Sequence, residues 1–156
     1  MGQIRDAALP GGLVGLFHGI INAIEYQYLL FPSIMPIIAA RMAEQNPNAS
    51  AMLPAIMTFL GPVILLFVVI FSVVLGIVLA IAFVSLRKSI PGGSMIRKAL
   101  VFSIILLAVQ MITGLGSFSV ESYAQTAISL DIISIIEFPV LGLLFVYLLG
   151  KKTKLA

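Results

Sequence analysis

The sequence predicts an all-α integral membrane protein: four transmembrane helices in a bundle, with a short interfacial amphipathic segment between the first and second spans. Three observations carry that expectation. Residues 53–86 contain no charged side chain, and none occurs anywhere between Glu44 and Arg87, whereas a spanning helix needs only about 20 apolar residues. The chain is 61% hydrophobic and 10% charged, against about a quarter charged in ordinary soluble domains. The basic residues sit in short clusters beside apolar runs, as expected for anchors at a membrane surface rather than for a nucleic-acid-binding face. At 156 residues the chain suits a single membrane domain over 1–156, with no separate soluble domain.

The first expected span covers about 8–28. It is less apolar than the others and holds His18, Asn22, Glu25 and Gln27. Gly11, Gly15 and Gly19 recur every fourth residue, a small-residue stripe that lets a second helix approach closely in lipid. Tyr26 and Tyr28 fall where an aromatic belt would end the span. The N-terminus does not resemble a secretory signal, because Asp6 directly follows Arg5 and polar residues enter the apolar run. Asp6 also stands where a myristoylation motif requires Ser or Thr.

Residues 29–61 are expected outside the membrane core. Pro32 and Pro36 are expected to interrupt helix, since proline lacks the amide donor. Ile34, Ile37, Ile38 and Met42 line one face of a short interfacial helix, with Arg41 and Glu44 off that face. The stretch 45–50 is expected as a loop, with Ser50 as a cap for the next helix. The triplet Asn48-Ala49-Ser50 fits a glycosylation sequon, a pattern common by chance.

The second span is about 62–86, with a kink or break expected at Gly61-Pro62 and 53–60 as a separate extension. At about 1.5 Å per residue it covers roughly 37 Å. Pro91-Gly92-Gly93-Ser94 is a turn flanked by Arg87, Lys88, Arg97 and Lys98. The third span is about 99–118, the loop 119–127 follows, and the fourth span is about 129–150, with Pro139 a kink candidate. The basic hairpin and the basic tail of Lys151, Lys152 and Lys154 lie on the same side of an even number of spans. Both termini are therefore expected in the cytoplasm, in the cell membrane.

Ionisable residues inside a span are costly and mark candidate sites. Measured from the span ends, His18, Gln110 and Glu137 fall roughly 12–15 Å below the outer surface. Glu25, Asp131, Thr113 and Ser117 form a shallower layer. His18, Asn22 and Glu25 share one helix stripe, as do Ser103, Gln110, Gly114 and Ser117. Asp131, Ser134 and Glu137 make a slanted row. Two uses are open for these groups: a buried hydrogen-bonded set that holds helix register, or a polar pathway for protons or cations. Apart from Ser72, Ser85 and Gly76, the second span presents almost no such side and is expected to be mainly apolar scaffold.

Enzyme chemistry is not expected. There is no cysteine and one histidine, so a metal site would need His18 with Glu25, Asp131 or Glu137, and the His18–Glu25 spacing is too long for an ordinary chelating pair on one helix. No zinc-protease, nucleophile-elbow, P-loop or dinucleotide motif occurs, and no cofactor is implied. The expected function is a non-catalytic membrane protein that works through helix packing, as a homo-oligomer or an accessory subunit. The alternative is a small transporter or channel through His18, Gln110 and Glu137. The expected partners are the lipid bilayer and copies of itself or other membrane subunits, with no nucleic acid.

Overall fold

A computed structural model describes the backbone of residues 2–45, 47–114 and 121–153, and the side chains of 5–45, 48, 51–112 and 132–151. All regular structure among the described residues is helical. Helix α1 spans Gly2–Glu25, a π-helical turn follows at Tyr26–Leu30, and α2 continues over Phe31–Gln45. Helix α3 covers Pro47–Leu86, α4 Met95–Gly114 and α5 Glu121–Thr153. Four helical stretches are long and apolar enough to cross a membrane: Arg5–Gln45, Ala51–Leu86, Met95–Ile112 and Ile132–Lys151. Their surfaces match that property. Phe67, Phe71, Ile112 and Ile136 are among many large apolar residues left exposed, a far larger apolar surface than a soluble monomer normally presents.

The prolines do less damage than expected. Pro32 and Pro36 do not separate the first span from the next segment. The helix instead widens by one residue just before Pro32, and the Phe31 amide donates to the carbonyl of Tyr26, five residues back. A π turn absorbs a position at which the regular four-residue bond is lost. Pro36 lies inside α2, and Ser33 Oγ donates to the Leu29 carbonyl at 2.7 Å. Likewise Pro54 and Pro62 both lie inside an unbroken α3 of 40 residues, so 53–60 is not a separate extension and Gly61-Pro62 is not a break. Ser50 falls within α3 rather than at its cap, and 47–50 are helical rather than loop. One missing donor costs a single bond, while abandoning helix in an apolar surface would strand several. At roughly 60 Å, α3 is about twice as long as a hydrocarbon core is thick. Helix α3 also packs on α2, with Pro54, Met57 and Thr58 facing a space shared with Phe31 and Met35; Ile34, Ile37, Ile38 and Met42 of α2 are half-buried while Arg41 and Glu44 are exposed.

The hairpin between α3 and α4 forms where the sequence places it. Gly92 has φ +138°, a conformation that L residues rarely adopt. Ser94 caps α4: its Oγ accepts from the Arg97 amide at 3.3 Å and its carbonyl from the Lys98 amide at 3.0 Å. Lys98 Nζ reaches back to the Arg87 carbonyl at 2.5 Å, placing positive charge on the C-terminal end of α3. Gly92→Ala is expected to lower stability by about 1–3 kcal/mol, read as a fall in the thermal midpoint of the purified protein.

The fourth span begins earlier than expected, since α5 already includes 121–127, which the sequence suggests as loop. The last residues of the expected third span, 115–118, lie outside the described residues.

Helix α1 packs most closely on α3, α4 packs on α5, and α1 also meets α5. Helices α3 and α4, although joined by the hairpin, make no comparable backbone contact. The helices thus form an open arc in the order α3, α1, α5, α4. The apolar core sits at the hairpin end, where Ala7, Phe83, Ile90, Ala99, Phe145 and Leu149 cluster. The start of α1, the hairpin and the end of α5 therefore share one end of the molecule. Phe83 anchors this core edge-on to Phe102 and Phe145, with ring centroids 5.5 and 5.6 Å apart.

Candidate functional site

The glycine stripe of α1 is occupied within the chain. A Cβ on Gly15 would strike the Ser72 carbonyl oxygen and come within 2.9 Å of Val73 Cα; one on Gly19 would lie 2.9 Å from Val69 Cα. The fit is reciprocal, because a Cβ on Gly76 would strike the Gly11 carbonyl oxygen and sit 2.7 Å from Gly15 Cα. Gly11, Gly15 and Gly19 therefore hold α1 and α3 backbone to backbone, with Gly76, Ser72 and Ala80 as their counterparts. Ser72, Gly76 and Ala80, spaced every fourth residue, are the small-residue signal of this contact on α3.

That close packing positions one edge of α1 toward α5, and His18 projects from it. His18 Nδ1 lies 2.7 Å from Glu137 Oε1. Asn22, one turn further along α1, donates from Nδ2 to His18 Nε2 at 3.0 Å. With Nε2 accepting, the ring proton resides on Nδ1 and is donated to Glu137. Phe138 closes the other side, edge-on to the imidazole at 5.9 Å. The side chain of Glu137 is 6% exposed and that of His18 20%. A polar side chain buried to this degree requires such a partner.

Gln110 joins a neighbouring contact instead of this one. Its Nε2 donates to Ser134 Oγ at 2.8 Å, and Ser134, one turn before Glu137, is buried. Two clamps thus sit side by side on α5, one to α1 and one to α4. Ser103 supplies a further close approach between α4 and α5, since its Oγ occupies the place where Gly142 would carry a Cβ. Ser134 in this role, and the Ser103–Gly142 contact, are readable in the sequence only as small polar residues at helical spacing.

Glu25 lies two turns beyond His18 on the same stripe. Its Oε1 is buried and has no hydrogen-bond partner. Asp131 lies on α5, but its side chain falls outside the described residues, as do those of Thr113 and Ser117. Among the described residues no group of three His, Asp or Glu side chains is placed to hold a metal ion.

Below the polar cluster, toward the hairpin end, the arc encloses a cavity of about 320 Å³, within the range of small-molecule pockets. Its polar end is formed by His18 and Gln110, and its walls by Val14, Leu75, Leu79, Leu106, Leu141 and Phe145, among others. The aromatic cluster of Phe83, Phe102 and Phe145 forms its floor. Its lining is mostly apolar, with Ser72 and Ser103 adding hydroxyls to the walls.

Comparison with protein-family models, with curated proteins and with solved structures finds no match to this chain. Its functional reading therefore rests on geometry.

Proposed function

We propose that the chain is a non-catalytic integral membrane protein that works through helix packing, as a homo-oligomer or as an accessory subunit of a membrane complex. The observation that carries this is the use of the interior polar groups. His18 with Glu137, and Gln110 with Ser134, bond one helix to another, the role that polar side chains commonly have between spanning helices. In this reading the four apolar stretches cross the bilayer as a bundle. The basic hairpin and tail lie in the cytoplasm with both termini, and α2 with the first third of α3 rests at the outer surface. Lys151, whose Nζ lies 4.7 Å from the Tyr147 ring centroid, serves as an interfacial anchor beside an aromatic ring.

A second reading, conduction of protons or cations through His18, Gln110 and Glu137, has one observation in its favour: the unpartnered Glu25 Oε1 on the same stripe. Against it, the interior beyond His18 is mostly apolar and ends on Phe83, Phe102 and Phe145; among the described residues only the hydroxyls of Ser72 and Ser103 line it there, and no ionisable group does.

The two are separated by native mass spectrometry of the protein released from its own membrane, together with dye-reported proton and cation flux in liposomes. We expect a mass above that of the 16.7 kDa chain, as a multiple or with a companion subunit, and no flux above empty liposomes. A monomer that conducts, with flux abolished by Glu137→Gln, would replace packing with transport.

A further inference from the structure

We infer that the cavity between α3 and α4 is a binding site for one hydrocarbon chain of a bilayer lipid, which enters sideways from the membrane. The inference rests on the membrane reading above and adds a ligand to it.

Four observations identify the occupant. First, the cavity opens on the side of the arc where helices do not pack. Val109 lines it and is yet 53% exposed, so the cavity reaches the outer apolar surface at the α3–α4 gap. Leu75 and Leu79 of α3 and Leu106 of α4 line the cavity and are only half-buried, so both sides of the gap contribute to its wall. In a bilayer the solvent at this point is acyl chain, and no aqueous route is needed. Second, the walls are mostly apolar, so a ligand gains by removing hydrocarbon from contact with voids or water. Third, the polar groups at the far end already have partners: His18 bonds Glu137 and Asn22, and Gln110 bonds Ser134. A ligand with a polar head would find these groups engaged, whereas a methyl end requires nothing of them. Fourth, the shape is long rather than round. The lining runs from Ala99 to Gln110 on α4 and from Phe138 to Phe145 on α5, a height of about 10–16 Å at helical rise. That accommodates one extended chain and not a ring system with its own polar rim.

The geometry also explains why the arc stays open. The α1–α3 contact is set by glycines at backbone distance and the α1–α5 and α4–α5 contacts by hydrogen bonds. Helices α3 and α4 meet through Phe83 and Phe102 near the hairpin, and none of the other three interfaces pulls α4 toward α3 beyond that point, so the gap lies above this ring contact.

The full chain, reconstituted in phosphatidylcholine vesicles in which one acyl chain carries a photoactivatable diazirine, tests this directly, with adducts mapped by peptide mass spectrometry. Adducts are expected on the exposed Phe67 and Phe71, which report insertion, and also on Leu141 and Phe145, on the wall opposite the mouth. Leu106→Phe, which narrows the mouth, is expected to abolish the Leu141 and Phe145 adducts and leave those on Phe67 and Phe71 unchanged. Leu75→Phe narrows it from the α3 side and serves if the first variant loses its thermal transition. Adducts confined to Phe67 and Phe71 in the unmodified protein overturn the cavity site but not the membrane reading. Absence of adducts everywhere overturns both. Inner-wall adducts that persist in a folded narrowed variant overturn entry through this mouth.

Discussion

Gly15→Leu is expected to dismantle the α1–α3 contact and to cost at least about 3 kcal/mol, seen as a large drop in the thermal midpoint and loss of a monodisperse peak on size exclusion. Most overpacked positions recover part of the cost by turning a neighbouring side chain. Here the obstruction is backbone. The first atom added to Gly15 meets the Ser72 carbonyl oxygen and Val73 Cα, neither of which can move without shifting α3 as a body. A shift would in turn loosen Gly76 against Gly11, since the two helices approach through both stripes. Gly12 provides the control. Its added Cβ would meet only the flexible Ile77 side chain, at 3.5 Å, so Gly12→Ala is expected to be neutral or to stabilise by up to about 1 kcal/mol through reduced chain entropy. If Gly15→Leu and Gly12→Ala behave alike, the close approach of α1 and α3 does not hold the protein together.

Glu137→Ala is expected to cost about 1–3 kcal/mol, because it leaves the buried His18 Nδ1–H without an acceptor. The loss falls on His18 Nδ1, which donates to Glu137 Oε1 at 2.7 Å and is walled in by Phe138. Glu137→Gln keeps an acceptor oxygen at the same reach and is expected to cost only about 1 kcal/mol. The double variant His18→Leu with Glu137→Leu is expected to lie much closer to the parent than Glu137→Ala alone, since apolar replacement of both partners of a buried pair is often near neutral. Thermal or denaturant unfolding of the four proteins forms a cycle whose coupling term isolates the pair. Equal, small effects for Ala and Gln would remove the pair from the list of forces that order α1 against α5. The neighbouring Gln110–Ser134 clamp is a neutral hydrogen bond and is worth less, of the order of 1 kcal/mol.

Much of this architecture is legible in the sequence, with errors of two kinds. The long uncharged run, the Pro-Gly-Gly-Ser hairpin and the amphipathic face of α2 depend on local composition and spacing, and each is found as expected. The errors are at prolines and loops. Pro32, Pro36 and Pro62 suggest interruptions because propensity scales weigh a residue against water, and 121–127 suggests a loop from its polar composition yet is helical. At the prolines, where the alternative to helix is an unsatisfied backbone beside apolar side chains, the helix continues through, with a π turn at Tyr26–Leu30 as the local adjustment.

The candidate site divides in the same way. His18, Asn22, Glu25, Gln110 and Glu137 stand out as polar groups in apolar helices, and the glycine stripe announces a close neighbour. Composition and helical spacing alone thus determined how many helices are long and apolar enough to cross a membrane, which faces carry polar groups, and which face of α1 is smooth. Tertiary structure decided the pairing: that the stripe meets Gly76 and Ser72 of α3, that His18 reaches Glu137 while Gln110 turns to Ser134, and that α3 and α4 remain apart around a cavity. Helical spacing within one segment defines a direction about its own axis. It carries no information about which other helix lies in that direction, because that choice depends on how closely two backbones can approach, and only the packed arrangement of all the helices sets it.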